Sequence, residues 1–327
     1  PAHALMGRQH HEDVPFAYWT IDLPPEVFAQ QAARAASLGY RAYKFKCRPW
    51  WDPIEQVAAA SEAVPDDFRF WLDFNGHLRN SDQAIPILKE LEKFDSVGGV
   101  ESPIPQRDVD GYKRIRAEFK KPIAIHYGSG CCHVRSDPTY DPGTSAETQI
   151  INNMSEGFVL GGDVDATIGI DRVCQEHKKV FWIQHVGTTL RAAFVTHLAC
   201  VCQQSKLSHL SAHDLWEEDL LVEPLAPVNA RMKVPEGPGL GVEPDEGQLD
   251  KLVSQPPREA VRKISTVVYP SGDRWNFSNE QQRHEAFYFG EVPGFETGIK
   301  LEVLEDDGSE EFARLFEQCK DAPVKTD

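Results

Sequence analysis

The sequence predicts an α/β fold in which parallel strands close into a barrel. Short apolar runs alternate with amphipathic segments of helical period from about residue 16 to residue 213, a spacing typical of repeated βα units. Eight such strands can be counted, and eight parallel strands close a barrel. A doubly wound open sheet is the alternative, but no glycine-rich nucleotide-binding loop follows any strand. We therefore predict a TIM-type (β/α)7β barrel.

The predicted strands are short runs rich in apolar, β-branched and aromatic residues. They cover residues 16–20, 42–47, 68–74, 97–101, 122–126, 158–162, 180–185 and 207–213. The helices between them are recognised by apolar residues at helical spacing and by Pro or Gly at their ends. They cover residues 25–38, 52–63, 82–92, 108–119, 144–153, 164–178 and 189–203. The stretch 128–143 is long and irregular, which predicts a functional or mobile segment.

The βα pattern ends after about residue 225, and prolines and glycines at 235–241 mark a boundary. Residues 1–250 are therefore predicted to form the barrel domain, and residues 251–327 a smaller α+β region. The elements predicted in that region are strands near 263–269, 286–292 and 299–304 and a helix over 309–320.

Composition excludes several classes of protein. The net charge of −17 argues against a nucleic-acid partner, which requires a basic surface. No apolar run approaches the ~18–20 residues that span a bilayer, and no signal peptide is recognised at the start, so no membrane partner is expected. The seven cysteines form an odd set without a repeated metal-binding spacing, which predicts reduced thiols and a cytoplasmic location.

Two lysines lie on the second predicted strand. Lys44 and Lys46 are two residues apart, so their side chains project from the same face of a strand. Two ammonium groups held close together lower each other's pKa, and burial acts in the same direction. A lysine tuned in this way can act as a base near neutral pH. The alternative interpretation is a pair of lysines on a solvated edge strand.

Polar residues also end the other predicted strands. Asp73, with Asn75 after it, ends the third strand, Glu101 the fourth, His126 the fifth and His185 the seventh. In a parallel barrel the C-terminal ends of the strands gather at one mouth, where catalytic groups lie. Because these side chains would converge on one cavity, the pattern favours an active site over a solvated edge.

Asp73, Glu101 and His126 end three successive strands. Neighbouring strands lie ~4.8 Å apart, so the three side chains can meet at one ion. Two carboxylates suit Mg²⁺, whereas an imidazole ligand shifts the preference toward Mn²⁺, Fe²⁺ or Zn²⁺. The sequence thus predicts a divalent metal site, with Mg²⁺ as the expected ion and Mn²⁺ or another divalent ion as the alternative. A hydrogen-bonded cavity histidine is the alternative for His126.

These motifs resemble those of the enolase superfamily and, within it, the mandelate racemase-like branch. The segments that carry the resemblance are Lys44-Phe45-Lys46, Leu72-Asp73-Phe74-Asn75, Val100-Glu101-Ser102-Pro103, Gly161-Gly162, Gln184-His185 and Glu236-Gly237-Pro238-Gly239-Leu240-Gly241-Val242. Each segment alone is a weak signal, but the combination is specific. The resemblance implies that a base removes the proton α to a carboxylate and that a metal ion holds the resulting enediolate.

The resemblance implies a role for each catalytic residue. Lys46 would be the base on one face of the substrate, and Lys44 would lower its pKa. His185 would act as base or acid on the opposite face. The branch normally pairs this histidine with a carboxylate that orients the ring. Asp163 is the preferred candidate and Glu156 the alternative, because Glu156 would begin rather than end the sixth strand.

The resemblance also implies a set of binding residues. Asp73 and Glu101 would be metal ligands, while His126 stands where relatives usually carry an aspartate or a glutamate. The residues expected to contact the substrate are Asn75, Tyr127 and Asp214. Residues 251–327 are similar to the returning part of a capping domain. Its N-terminal part is not found before the barrel, so either that part is missing or another subunit covers the mouth.

The expected activity is the dehydration of a sugar acid, a lyase reaction, because most relatives with this lysine and histidine arrangement act on acid sugars. One alternative is a racemase, epimerase or cycloisomerase on the same scaffold. A second alternative is a catalytically lapsed barrel with a binding or assembly role. A small carboxylate, most of all an acid sugar, is the expected ligand, and the resemblance implies a homo-oligomer.

Overall fold

The predicted barrel is present in the structure. A computed structural model describes residues 1–130, 143–257 and 260–326, so most of the irregular segment predicted at 128–143 lies outside the described residues. The strands in the first two thirds of the chain are β1 (Asp13–Pro15), β2 (Tyr18–Thr20), β3 (Ala42–Lys46), β4 (Arg69–Asp73), β5 (Val97–Glu101), β6 (Ile123–His126), β7 (Gly157–Leu160) and β8 (Val180–Ile183). Strands β2 to β8 form one parallel sheet in chain order.

A short eighth segment closes this sheet into a barrel. His209 bridges in parallel to Phe16, which lies just before β2, and Leu210 bridges in parallel to Gln184, which follows β8. The Leu210 N–H donates a hydrogen bond to the Ile183 carbonyl at 3.0 Å. The eighth strand is therefore shorter than the sequence predicts, yet it joins the last strand of the sheet to the first.

Helices alternate with the strands and cover the outside of the barrel. They are α2 (Pro25–Ser37), α3 (Pro53–Ser61), α4 (Ser81–Glu92), α5 (Val109–Glu118), α6 (Ala146–Ile151), α7 (Val164–His177) and α8 (Thr189–Cys200), and a short helix, α1 (His3–Met6), precedes the first strand. The rings of Tyr43 and Phe45 on β3 contact Phe28 of α2, with centroids 4.8 and 4.0 Å apart. Because side chains alternate along a strand, Lys44 and Lys46 face the barrel interior.

Aromatic side chains fill the barrel interior below the lysines. Trp71 on β4 and Trp182 on β8 meet edge to face, with ring centroids 5.2 Å apart. Trp19, Ala124 and Val159 belong to the same buried cluster. The interior is thus packed rather than open, which confines any ligand to the C-terminal end of the strands.

Several elements outside the βα repeat were not predicted from the sequence. They are α1, β1, β9 (Arg231–Lys233), α9 (Glu246–Ser254) and two strands of the C-terminal region over residues 274–277 and 324–326. Strands β1 and β9 pair antiparallel over three residues. The sequence signal was weak because each of these elements is short.

The C-terminal region forms a second, antiparallel sheet. Its elements are β10 (Lys263–Val268), β11 (Arg274–Phe277), α10 (Glu280–Phe289), β12 (Lys300–Glu305), α11 (Glu310–Cys319) and β13 (Val324–Thr326), and the strand order is β12-β10-β11-β13. The strand predicted at 286–292 is wrong, because helix α10 covers most of it. The Asn279 side chain caps this helix by accepting a hydrogen bond from the Gln282 N–H at 2.8 Å.

The C-terminal region packs on loops at the barrel mouth. Trp50, which follows β3, contacts Phe287 of α10 with ring centroids 5.6 Å apart. The Arg283 guanidinium lies 4.1 Å from the centre of the Trp50 ring. The Asp22 carboxylate accepts hydrogen bonds from the indole N–H groups of Trp50 and Trp51, at 2.9 and 2.6 Å. The division at residue 250 and the capping role stay predictions.

None of the helices in the described part of the chain combines the length and the apolar character that crossing a bilayer requires.

Among the described residues, the free and buried cysteines are Cys47, Cys174, Cys200, Cys202 and Cys319.

His209 is a buried histidine whose neutral form contributes to the closure of the barrel. Its Nδ1 accepts a hydrogen bond from the Ile183 N–H at 2.9 Å, which requires an unprotonated nitrogen. Burial lowers the pKa of His209 to about 3, whereas an unfolded histidine takes up a proton near pH ~6.5. The neutral form of His209 therefore stabilises the fold fully above the pKa of the unfolded chain. This stabilisation is lost as the pH falls from that value toward the pKa of His209 in the folded state.

Replacing His209 with asparagine is expected to flatten the pH dependence of the unfolding free energy. The amide oxygen can accept the same N–H, but it does not titrate. One such histidine lowers the free energy of unfolding by up to about 1.4 kcal/mol for each pH unit of acidification. The His209→Asn variant should not show this decrease between about pH 6 and pH 4. Urea unfolding across this range measures the difference. His177→Asn, at an exposed position, is the control, and parallel curves for wild type and His209→Asn contradict the prediction.

Candidate active site

The two lysines of β3 lie buried inside the barrel. Lys44 is 1% exposed and Lys46 is 9% exposed, so the interpretation as a solvated edge does not hold. The register of the sheet places carboxylates beside them. Lys46 is aligned with Asp73 of β4, and Asp73 is aligned with Glu101 of β5. Both carboxylates are 0% exposed. Four charged side chains therefore meet at the C-terminal ends of three neighbouring strands.

The ammonium groups and the carboxylates form a network of ion pairs. Lys46 Nζ donates to Asp73 Oδ2 at 2.5 Å. Lys44 Nζ lies 3.2 Å from the same oxygen and also contacts Glu101 Oε2. The third acceptor around Lys44 is Gln184 Oε1, at 2.5 Å. Of the three oxygens around the Lys44 ammonium, Gln184 Oε1 accepts a hydrogen bond, and the two carboxylate oxygens are ion-pair contacts.

Tryptophan rings complete the surroundings of the lysines. Lys44 Nζ is 5.3 Å from the centre of the Trp182 ring and 5.9 Å from that of Trp19. Lys46 Nζ is 5.8 Å from the centre of the Trp19 ring. These distances are within the range in which the face of an aromatic ring attracts a cation. The rings therefore stabilise buried positive charge without adding an acceptor that titrates.

Burial and neighbouring charges both shift the pKa values of Lys46 and Asp73. Burial lowers the pKa of Lys46, Asp73 opposes this effect and Lys44 adds to it. For Asp73, burial alone would raise the carboxyl pKa. The ammonium groups of Lys46 and Lys44 outweigh that effect and hold the pKa of Asp73 well below its usual value. Asp73 is thus ionised, while Lys46 gives up its proton more readily than a surface lysine.

His126 lies at the end of β6 and contacts Glu101. Its Nε2–H donates to Glu101 Oε1 at 3.1 Å. Two glutamines hold its backbone: the Gln106 amide bonds to both the N–H and the carbonyl of His126, at 2.9 and 2.8 Å, and the Gln149 Nε2–H donates to the same carbonyl at 2.9 Å. This histidine is therefore fixed against the carboxylate that also contacts Lys44.

The backbone is strained next to both carboxylates. Asn75 and Ser102, which follow β4 and β5, have φ values of 45° and 44°, a region that non-glycine residues rarely adopt. The Asn75 N–H donates to Asp73 Oδ1 at 3.0 Å, and the Arg48 guanidinium donates to Asn75 Oδ1 at 3.2 Å. Strain of this kind concentrates at functional sites, and here it turns the N–H of Asn75 toward a carboxylate of the network.

His185 and Asp163 have other partners in the structure. The His185 ring stacks on Phe194 of α8 at 5.9 Å and 10°, and its Nε2–H donates to the Gly162 carbonyl at 3.1 Å. Burial, aided by the charge of Arg191, lowers the pKa of His185. Asp163 is exposed, and its Oδ1 caps α7 by accepting a hydrogen bond from the Ala166 N–H at 2.8 Å. The pairing of Asp163 with His185 stays a prediction.

Two predicted substrate contacts also lie against other groups. The Tyr127 ring packs edge to face on Phe158, with centroids 5.1 Å apart. The Asp214 carboxylate accepts a hydrogen bond from the Tyr40 hydroxyl at 2.6 Å. Glu156, the alternative partner for the histidine, directly precedes β7, so it lies at the start of the strand and not at its C-terminal end. The substrate-binding roles of Tyr127 and Asp214 stay predictions.

The sequence analysis missed Gln184, Arg48 and the two tryptophans that surround the lysines. Strand alternation carries a signal for most of them. Gln184 lies two residues after Trp182 and is therefore on the same, inward face of the strand. His185 lies two residues after Ile183 and is therefore on the outward face. Arg48 lies two residues after Lys46 by the same rule. No local pattern predicts the contact between Lys44 and Gln184, which are 140 residues apart.

The residues present do not fit a divalent ion as they are arranged here. Within the ranges that the structure describes, no three His, Cys, Asp or Glu side chains are grouped so as to hold a metal. The Lys44 ammonium contacts both buried carboxylates. The His126 nitrogen nearest to them donates a hydrogen bond and so does not offer a lone pair. The metal roles of Asp73, Glu101 and His126, and the Mg²⁺ ion itself, stay predictions.

Residues 27–133 and 161–248 match the family model described as enolase C-terminal domain-like. An N-succinylamino acid racemase from Amycolatopsis sp. is 28% identical over 217 residues, which cover 66% of this chain and 56% of that protein. A D-gluconate dehydratase from Thermoproteus tenax is 25% identical over 246 residues, which cover 71% of this chain and 47% of that protein. The chain thus spans about half the length of these relatives.

The fold also matches solved structures. A mandelate racemase/muconate lactonizing family protein from Azoarcus sp. EbN1 superimposes with a TM-score of 0.61 at 22% identity, covering 79% of this chain and 69% of that chain. At this level of identity the likeness concerns the fold alone.

Proposed function

The chain belongs to the enolase superfamily, in its mandelate racemase-like branch, and on this basis we propose that it removes the proton next to the carboxylate of a small organic acid. The observation that carries the proposal is the buried pair of Lys44 and Lys46 among two buried carboxylates at the C-terminal ends of the strands. Such a cluster is costly to bury, and it lies where barrel enzymes place their catalytic groups.

Lys46 is the proposed base. Its Nζ is held by Asp73, which fixes the direction of the side chain, and burial lowers its pKa. In the neutral form it accepts the α proton, and the electrons of the broken C–H bond pass to the carboxylate to form an enediolate. The Lys44 ammonium is the cation placed to stabilise that negative charge, because it is buried and held by one hydrogen bond to Gln184 and ion pairs with Asp73 and Glu101.

We further propose that the enediolate loses a β-hydroxyl group, which makes the reaction a dehydration of a sugar acid. The C–O bond breaks, the hydroxyl leaves as water with the proton that Lys46 collected, and the enol product tautomerises to a 2-keto acid. One observation supports this choice over racemisation, which needs a proton donor on each face of the substrate. The inward residue after β8 is Gln184, which does not titrate, and His185 stacks on Phe194.

Racemisation or epimerisation is the second candidate. It is favoured by the similarity to N-succinylamino acid racemase, which is as strong as the similarity to D-gluconate dehydratase. In this case a residue other than Gln184 supplies the second proton. His126, at the end of β6 and with a side chain that is 20% exposed, is the titratable residue of the network that is placed for this role.

The experiment that tests the function is incubation with a panel of acid sugars and N-succinylamino acids in D₂O. We expect a 2-keto acid to form from at least one acid sugar, with no deuterium at Cα of the recovered substrate. Deuterium at Cα of recovered substrate without a keto product supports the second candidate. If neither product nor exchange is seen with any carboxylate of the panel, the proposed activity is contradicted and the lapsed barrel is favoured. Lys46→Met serves as the inactive reference.

A further inference from the structure

Lys44 occupies a complete cation site of its own. Its Nζ donates a hydrogen bond to Gln184 Oε1 and forms ion pairs with Asp73 Oδ2 and Glu101 Oε2. Two indole faces lie 5.3 and 5.9 Å away, and the side chain is only 2% exposed. An ammonium with this many directed partners is held in one position, between the two carboxylates that a metal ion would need.

The charges of the network also balance without a metal. Two buried ammonium groups, those of Lys44 and Lys46, face the two buried carboxylates of Asp73 and Glu101. A divalent ion added to this set would leave two uncompensated positive charges in a buried place when Lys46 is protonated and one when Lys46 is neutral, and either excess is unfavourable. His126 does not relieve this excess, because an imidazole carries no negative charge near neutral pH.

The third predicted ligand is already engaged. The His126 Nε2–H donates to Glu101 Oε1 at 3.1 Å, and the backbone on both sides of this contact is fixed by Gln106 and Gln149. For Nε2 to bind an ion, the hydrogen bond to Glu101 would have to break and the proton would have to move to the other nitrogen.

We propose that the Lys44 ammonium takes the place of a divalent cation in this barrel, and that the centre receives a carboxylate without a bound metal ion. A substrate carboxylate would accept one N–H of Lys44 in exchange for one of its present partners. The proposal goes beyond the proposed function, because proton abstraction by Lys46 is compatible with either cation.

The test uses the wild-type chain with Mg²⁺ and Mn²⁺ alone, after dialysis against a chelator. We expect no binding heat in calorimetric titration with either ion. The midpoint of thermal unfolding should shift by less than about 1 °C at about 10 mM ion, because an ion that does not bind the folded state does not stabilise it. Stoichiometric binding, or a rise of more than about 3 °C, overturns the proposal. Binding heat and the thermal midpoint do not depend on turnover. A result that overturns the metal-free centre therefore leaves the proposed proton abstraction untouched, and the reverse also holds.

A variant shows whether Lys44 itself is responsible. Lys44→Met removes the ammonium and leaves two buried carboxylates that only Lys46 balances. This variant should bind Mn²⁺ at least ~10-fold more tightly than wild type, since carboxylate oxygens are the ligands such ions prefer. Lys93→Met, at an exposed lysine, should behave as wild type. A folded Lys44→Met that gains no affinity overturns the proposal, and if it does not fold, the wild-type titration decides.

Discussion

Replacement of Lys46 by methionine is expected to lower the rate of α-proton removal by ~10²–10⁴-fold, the usual contribution of a general base. Methionine keeps the length of the side chain, and the fold should persist because Asp73 retains its contact with Lys44. The measurement is the kcat for the substrate found in the D₂O panel, or the exchange of its Cα proton followed by NMR. Circular dichroism and the thermal midpoint report whether the variant is folded.

A second substitution at the same position separates charge from basicity. Lys46→Arg keeps a cation beside Asp73, but a guanidinium does not lose its proton near neutral pH. It should therefore be as inactive as Lys46→Met while binding substrate better. Lys113→Met, at an exposed position on α5, is the matched control and should keep wild-type activity. If Lys46→Arg turned over substrate at the wild-type rate, Lys46 would supply charge alone and another residue would be the base.

Replacement of Glu101 by glutamine is expected to destabilise the fold by about 3–5 kcal/mol, the range seen when one partner of a buried ion pair is removed. The Lys44 ammonium then loses one of its two buried carboxylates, and the amide adds N–H donors near a cation. Urea unfolding of protein dialysed against a chelator measures the change in the free energy of unfolding.

The double variant Lys44→Met/Glu101→Gln shows whether the loss comes from the pair itself. Removing both partners leaves Lys46 and Asp73 as a balanced pair. The double variant should therefore be more stable than the sum of the two single changes predicts, by at least ~2 kcal/mol. Strict additivity would mean that the contact between Lys44 and Glu101 contributes nothing, and the charge balance described above would then be wrong.

The barrel and the centre of the site were predictable because both depend on local patterns. The alternation on β3 places Lys44 and Lys46 on one face, and carboxylates end the next two strands. In-register parallel pairing then brings Lys46, Asp73 and Glu101 together without information from distant parts of the chain. The resemblance to the superfamily, which the family match confirms, uses the same residues.

The rest of the site depends on contacts that the sequence does not encode locally. Strand alternation places Gln184 on the inward face, but its contact with Lys44 depends on closure of the barrel, to which the bridge between Gln184 and Leu210 contributes. Asp163 also carries a helix-capping signal, since an aspartate before an apolar run is a common N-cap. In the structure this local role is the one that its side chain fulfils.

The error in the C-terminal region has a different cause. The run Ala286–Phe289 is rich in aromatic residues, which favour strands when judged by propensity. Burial at Arg283, Ala286 and Phe287 follows helical spacing instead, and the Asn279 cap fixes where the helix begins. Propensity was overridden because the Phe287 ring packs against the barrel loop at Trp50.

The packing of Trp50 and Trp51 on the C-terminal region has a consequence for synthesis of the chain. The two tryptophans share a hydrophobic cluster with Val267, Phe277 and Phe287, and these partners leave the ribosome only after most of the barrel has been made. At a translation rate of ~5–20 residues per second, two large apolar rings wait roughly 10–50 s for their cover. During that interval the two rings are exposed apolar surface on the nascent chain, which is the kind of surface that chaperones bind.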